Sequence, residues 1–500
     1  MSPSWCYLST KLAIAMIAVV WALLYLPNLR SSPGWYGDET LTLMIGNALY
    51  AGQPSDRALA VTFWHPSYAY QPLYAWMVGL FSSLTNGDIL GGRLMNVLLA
   101  LTTALIIFGM GRDIMGEKPA LFGSLVFLTY EQTIIHFRWI YSHNGVALGF
   151  VVSVLALVRV SSIRANAVAG CGLAWAAFCH PLFTHGCLGA LACRLKKPSA
   201  WPFLIIPPLA VVAATISWTL FRTWPESWLL DDIRLLGDFY ASLSRENGGL
   251  LQSARNIYNF YTQDLFHMLA VACIAVCAAR KYYAVAIFAA AVSGMLLQNR
   301  QNLPVFYYQA VVFLPVLAVA FAGALNVISA RLRLSIGRKA NYFVTGVFIL
   351  PAAMFLVNAP KSWHGSFVPR NQPWVTQDVS EVELAAEWLN EHTDESDLVI
   401  CHQNIGWLLH ARTADLMQVT AHSGLPTFTF EKPVPQSRFL YPAKIEEAKY
   451  VVIADIDQRW TLGQPNTLNV VRNMETQMWP IVWRAQHYVI ISNPNLSQRP

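Results

Sequence analysis

Charge is what this sequence has least of. Only 12% of its 500 residues are Asp, Glu, Lys or Arg, against 55% apolar, and the mean hydropathy is +0.40. A soluble chain carries roughly 25% charged residues, so a wholly water-soluble enzyme and a disordered chain are both excluded. Cysteines are few and unpaired in pattern. Of the eight, Cys171, Cys179, Cys187, Cys193, Cys273 and Cys277 lie in apolar segments, where thiols act as small hydrophobes, and Cys401 stands alone. No two have metal-ligand spacing and no secreted disulfide framework is visible. A Gly-rich phosphate fingerprint is also missing, which argues against a nucleotide site. The first apolar run ends in Leu26-Pro27-Asn28-Leu29 without a small-residue cleavage site, so it reads as a retained anchor.

What the sequence has in abundance is apolar runs. A spanning helix needs ~20 apolar residues, with tolerance from ~17 to 25. Candidate spans lie near 12–29, 92–110, 120–130 with its continuation, 145–160, 165–179, 182–193, 202–221, 265–279, 283–297, 305–327 and 342–357. That count, about eleven and at most thirteen, predicts an all-α polytopic membrane domain. The segment 72–84 is apolar but short for a span, and reads as a juxtamembrane or re-entrant helix within a long first external loop, 30–91.

Charge distribution orients this domain. Residues 1–359 carry 23 Lys/Arg and 13 Asp/Glu, whereas residues 360–500 carry 11 and 15. With the N-terminus inside and eleven alternating spans, fourteen of the 23 basic residues fall in inside segments, opposed only by Asp113 and Glu117. The surplus is an orientation signal and argues nothing for nucleic acid. The division that follows is a membrane domain over 1–358 and a water-soluble domain over 359–500. In the latter, 379–392 has helical apolar spacing around Ser380-Glu381-Val382-Glu383, a capping-box pattern. Short β-branched runs at 397–401, 449–454 and 488–492 read as buried strands. Helical stretches at 405–411 and 468–478 alternate with them, which predicts a small extracytoplasmic α/β domain.

Ionisable groups near a bilayer are costly and point to function. Two acids stand together in Gly34-Trp35-Tyr36-Gly37-Asp38-Glu39-Thr40, directly before a helix-like run at 41–50. An acid there is favoured by the helix dipole, and a plain N-cap is the competing reading. His65-Pro66 and Gln71-Pro72-Leu73-Tyr74 follow in the same loop. Arg93 opens the second span. Arg138 and His143 lie at the outer end of the third, Arg300 at the outer end of the ninth, and Tyr307 at the start of the tenth.

This order of a first span, a Trp-Tyr-Gly-Asp-Glu loop, a Pro-Leu-Tyr juxtamembrane helix and an Arg-initiated span resembles the GT-C integral-membrane glycosyltransferases. Within them it is most similar to the protein O-mannosyltransferase and aminoarabinose-transferase branch, over residues 1 to about 360. The tail resembles the extracytoplasmic domains that some members carry. The resemblance implies a polyprenyl-phosphate-linked monosaccharide donor, an active site and C-terminal domain on the periplasmic face of the plasma (inner) membrane, and inversion at the anomeric carbon. Asp38 matches the family's essential first-loop acid and Glu39 its acidic neighbour. Gln71-Pro72-Leu73-Tyr74 is similar to a His-Pro-Pro-Leu-Tyr signature, with Gln71 in place of the usual His-Pro, and His65-Pro66 just upstream shares the claim. Arg138 and Arg300 resemble later arginine elements.

On that basis Asp38 is the general base or acceptor-orienting acid, within ~2.6–3.2 Å of the acceptor or one water away, and Glu39 supports it. Arg138, Arg300 and Arg93 are candidates to stabilise the phosphate that leaves, as preorganised cations do. His65, Tyr74, His143 and Tyr307 are candidate substrate contacts. No cofactor is required. Carboxylates and imidazoles would suit a divalent cation, but no His/Asp spacing demands one, and no metal site is assigned. The partners expected are the lipid-linked donor, an extracytoplasmic acceptor (lipid, glycan or protein) and the bilayer. Two other classes fit the composition: a lipid-linked-sugar transporter, although no inverted repeat or paired broken segments are visible, and a non-catalytic assembly subunit using the tail as its module.

Overall fold

The computed structural model describes residues 10–52, 72–159, 162–223, 249–280, 282–294, 311–369, 376–427 and 433–496. It clusters into two compact units, each discontinuous in sequence. One comprises Met1–Ser32, Arg93–Trp218 and Leu243–Phe367, and the other Pro33–Gly92, Thr219–Ser242 and Val368–Pro500.

The first unit is helical. Hydrocarbon leaves no water to satisfy a backbone group, so an apolar segment that enters a bilayer closes its hydrogen bonds within a helix. Among the described residues four helices are long and apolar enough to cross a membrane: Ile89–Met115, which starts just before this unit, Pro198–Trp218, Val311–Ile336 and Ala340–His364. The pair Ala254–Thr262 and Leu265–Ala278, bent by 108°, makes a fifth if taken as one span. Five further apolar helices, Thr10–Tyr25, Ser142–Val158, Ile163–Cys179, Phe183–Cys193 and Tyr283–Ser293, are shorter. Among the described residues, then, only some of the eleven apolar runs form helices of full spanning length. One cause is early breaks: the run beginning at 120 divides at Tyr130, whose extended backbone ends the Glu117–Thr129 helix and starts Glu131–Phe137.

Small residues set the packing. A Cβ on Gly149 would stand 2.4 Å from the Gly172 carbonyl oxygen, and one on Gly172 2.6 Å from Ser153 Oγ. The Ser142–Val158 and Ile163–Cys179 helices therefore meet backbone to backbone, and Ser153 Oγ donates across the seam to the Ala169 carbonyl at 2.9 Å. Such small-residue contacts are how helices associate when lipid removes the hydrophobic drive. The seven described cysteines are free thiols.

The second unit joins the first-loop segment to the tail. Strand β1 (Trp35–Tyr36) pairs antiparallel with β2 (Thr376–Gln377). A five-stranded sheet follows, from β3 (Leu398–Ile400), β4 (Arg412–Ala414), β5 (Ala448–Ala454), β6 (Ile481–Arg484) and β7 (Tyr488–Ser492), in the order β4-β3-β5-β7-β6. β3 runs parallel to both β4 and β5, while β7 is antiparallel to β5 and β6. Ile400, Val451 and Ile453 lie in its apolar core with Val470, Val471 and Met474 of the Pro465–Thr476 helix. The Val379–His392 helix begins as its spacing predicts, but its cap is Asp378. That carboxylate accepts from the Ser380 and Glu381 amides, so the capping box expected at Ser380 does not form. A reciprocal capping box does form at Asp415 and Gln418, opening the Leu416–His422 helix.

Candidate active site

The loop helix spans Gly37–Ala51, four residues longer at its start than the apolar run suggests. Its N-cap is Tyr36, which makes no side-chain capping bond. Asp38 is therefore no N-cap: it sits in the first turn with Glu39, where the helix dipole favours both carboxylates. The two acids part company there. Asp38 is exposed, and its Oδ2 accepts from the Tyr36 hydroxyl at 3.1 Å. Glu39 is fully buried. One carboxylate is thus presented to whatever approaches, and the other belongs to the interior.

The helix lies flat on the Pro72–Ser83 helix, the segment read as juxtamembrane. A Cβ on Gly79 would fall 2.0 Å from the Gly46 carbonyl oxygen, so only glycines allow this approach. Tyr74, in the first turn of Pro72–Ser83, is fully buried.

In the helical unit, Arg93 and Arg138 come together on one short stretch of backbone. Arg93 Nη1 donates to the Leu29 carbonyl at 2.8 Å and the Arg30 carbonyl at 3.3 Å. Arg138 donates through Nη2 to the Pro27 carbonyl and through Nη1 to Ser362 Oγ at 3.1 Å. Its guanidinium also lies 5.5 Å from the centre of the Phe367 ring. Neither arginine is exposed. In this conformation both hold the chain where it leaves the Thr10–Tyr25 helix. His143, in the first turn of Ser142–Val158, is buried too, its ring 5.3 Å from Tyr141 and 4.4 Å from His180. His65, Arg300 and Tyr307 lie outside the described residues, as does Gln71. Among the described residues no three His, Cys, Asp or Glu side chains are grouped to hold a metal ion.

Sequence reasoning missed the tail residues that reach the Asp38 segment. Asn404 is fully buried, and its Nδ2 donates to the Trp35 carbonyl at 3.1 Å. The Thr40 hydroxyl lies 3.0 Å from Asn404 Oδ1 and also 3.0 Å from the Gly37 carbonyl. The Trp35 and Trp407 rings meet edge to face, 5.1 Å apart. His402 occupies the space a Gly37 side chain would need, its Cε1 2.5 Å from a Cβ built there. About 360 residues separate these partners, and no local pattern signals such a contact. The only sequence hint was glycine at 37, beside the acid.

Buried carboxylates line the same end of the sheet. Burial raises Asp415, just after β4, to about 6, against the bonds it accepts from the Gln418 amide and Gln403 Nε2. Burial raises Asp457, just after β5, to about 7, against the bonds from the Ala454 amide and Thr461, and the nearby Asp415 charge adds to the rise. Burial also raises the Cys401 thiol well above its ordinary range.

No family model and no curated protein matches this sequence. Solved structures do. ArnT from Cupriavidus metallidurans, solved bound to undecaprenyl phosphate, aligns over 98% of this chain and 99% of its own, with TM-score 0.59 at 14% identity. The oligosaccharyltransferase of Archaeoglobus fulgidus, solved with zinc and sulfate, aligns over 90% of this chain and 68% of its own, with TM-score 0.56 at 14% identity. The multi-pass helical unit, the acid-bearing loop helix and these likenesses agree with the ordered motifs read from the sequence: the chain has the fold of the GT-C membrane glycosyltransferases.

Proposed function

We propose that this chain is an inverting glycosyltransferase that moves a monosaccharide from a polyprenyl-phosphate donor to an extracytoplasmic acceptor. The observation that carries the reading is the split of the acid pair: in a chain with this fold, Asp38 alone of the two is exposed, in the first turn of a helix fixed from two sides. In the reaction the acceptor O–H or N–H gives its proton to Asp38, directly or through one water, as its heteroatom bonds to the anomeric carbon. The bond from that carbon to the phosphate oxygen breaks on the opposite face, and the polyprenyl phosphate departs as an anion. Fixed cations stabilise that charge most strongly at a poorly hydrated site. Arg300 is the candidate for this role on sequence grounds. Arg93 and Arg138 serve it only if a donor draws them from the carbonyls they hold, and His65, Tyr74, His143 and Tyr307 remain candidate substrate contacts. A bound lipid phosphate in the ArnT structure supports the donor class. Our reading keeps eleven spans with the N-terminus inside, a membrane domain over 1–358, a domain over 359–500 outside the plasma membrane, and no metal.

The test is mass analysis of envelope glycoconjugates in three strains: one lacking the protein, one carrying it, and one carrying Asp38→Asn. The reading predicts that one sugar addition disappears in the first and third, with the variant inserted at normal levels. Near-normal transfer by Asp38→Asn refutes it.

A further inference from the structure

The parallel part of the tail sheet has the strand order at which open α/β sheets bind ligands. In open α/β sheets the crevice lies outside the carboxyl ends of the strands, where the strand order reverses. Here that point falls between β3 and β5. Its rim is formed by Cys401 to Asn404 after β3, Asp415 after β4 and Asp455 to Asp457 after β5. Tyr488 at the start of β7, opposite Ala454, lies at the same end.

This end is where the chain's own loop is held. Tyr488 donates to Gln377 Oε1, and Gln377 pairs in β2 with Trp35 of β1. A Cβ on Gly34 would stand 2.3 Å from the Gln377 carbonyl oxygen, so the strands are in close contact. Beyond β1 the segment turns into the Asp38 helix, and the Cys401–Trp407 turn receives it. Asn404 bridges Trp35, three residues before Asp38, to Thr40, two residues after it. The turn is itself anchored, since Gln403 Nε2 donates to Asp415 Oδ2 at 2.7 Å. Tyr36, fixed between the two contacts, holds the Asp38 carboxylate by its hydroxyl.

We propose that Asn404, with His402 packed on Gly37, is a positioning residue for Asp38, and that this end of the tail sheet acts as the socket for the catalytic loop. The inference rests on the Asp38 reading above. The start of this helix has no side-chain cap of its own, and residues 402–407 supply contacts to it from the tail. The role is geometric: a displacement of the order of 1 Å at a reacting group costs about 100-fold in rate.

The full chain in lipid nanodiscs is assayed with lipid-linked sugars extracted from the producing strain's membranes, and amide exchange is followed over residues 35–42. Asn404→Ala should lower kcat by about 10- to 100-fold with KM for the donor extract nearly unchanged, and speed exchange in that segment. Asn404→Asp replaces the donor to the Trp35 carbonyl by a second acceptor and should lower kcat at least as much as Asn404→Ala. Gly37→Ala forces a methyl into the His402 ring and should lower kcat similarly, whereas Gly37→Ala with His402→Ala should restore it. A purely structural role predicts that kcat falls and recovers only together with the thermal midpoint, whereas positioning predicts that kcat moves while the midpoint holds. If Asp38→Asn is inactive while Asn404→Ala and Gly37→Ala keep wild-type kcat and exchange, the socket is overturned and the Asp38 assignment stands. If Asp38→Asn is active, the catalytic assignment fails, and exchange unchanged by Asn404→Ala then overturns the socket as well. Should Asn404→Ala not fold, the Gly37/His402 pair decides in the same way.

Discussion

In the helical unit the buried pair Arg93 and Arg138 is set against backbone carbonyls; in the sheet-bearing unit the buried pair Asp415 and Asp457 is set close enough for one charge to raise the other. Arg93 and Arg138 keep full burial by donating to the carbonyls of Pro27, Leu29 and Arg30 and to Ser362. These carbonyls lie in the turn after Tyr25, outside the helix's own hydrogen-bond ladder, so a guanidinium there satisfies two needs at once. For Asp415 and Asp457 desolvation outweighs the hydrogen bonds they accept, and burial shifts both toward the protonated form. The contrast separates two remedies for the same desolvation cost: bond the charge, or neutralise it. The first is insensitive to pH in the working range and suits a fixed support. The second makes one end of the sheet, the end that holds the loop, dependent on pH.

The largest test of the contrast is Arg138→Ala. It leaves the Pro27 carbonyl and Ser362 without their donor and opens a cavity, so it should destabilise the helical unit by about 3 kcal/mol or more, read as a lowered thermal midpoint of the purified chain. A midpoint within a degree of wild type would mean that the carbonyl set does not depend on this cation.

The next is Asp457→Asn. Between the ordinary carboxylate range and about 7, the folded chain holds a proton on Asp457 that the unfolded chain has already released. The unfolded state therefore binds fewer protons, and stability falls as pH rises through that window and levels off above it. Buried His402, held below its ordinary value by desolvation, acts in the opposite direction, so the test is the difference between proteins: from pH 5 to pH 8 the thermal midpoint of Asp457→Asn should fall less, or rise more, than that of wild type. A slope unchanged by the substitution would remove Asp457 from the account.

The smallest effect is expected at Asp455. Its carboxylate lies 2.8 Å from His487 Nδ1, but both side chains are more than 40% exposed. Exposed pairs contribute about 0.2–1 kcal/mol and are screened by salt. Asp455→Asn should shift the midpoint slightly at low salt and not at all in high salt. A large shift would show that a bonded charge, the remedy of the helical unit, also operates at the rim of the sheet-bearing unit.

Much of the helical unit was legible because its signals are local. The Ile163–Cys179 and Phe183–Cys193 helices follow the apolar runs to within two residues, since each run dictates its helix without help from a partner. Strands β5 and β7 were legible for a related reason, as β-branched runs that suit a buried pleated surface. Strands β4 and β6 carry only Arg412-Thr413-Ala414 and Ile481-Val482-Trp483-Arg484, too short for periodicity to register. The cap at Asp378 was missed because a carboxylate one residue ahead of the helix competes with Ser380 for the same amides, and only the backbone angles decide between them.

The candidate site divides along the same line. By itself the sequence determined the multi-pass class, the helices, and the presence of an acid pair at the start of a loop helix, because hydropathy, spacing and dipole act over a few residues. Only the tertiary structure decided that Asp38 faces out while Glu39 faces in, that Arg93 and Arg138 hold the root of the loop, and that Asn404 and His402 grip it from the tail. Burial and hydrogen-bond partnership are set by what folding brings alongside a residue, and for these residues that neighbour comes from as much as 369 positions away.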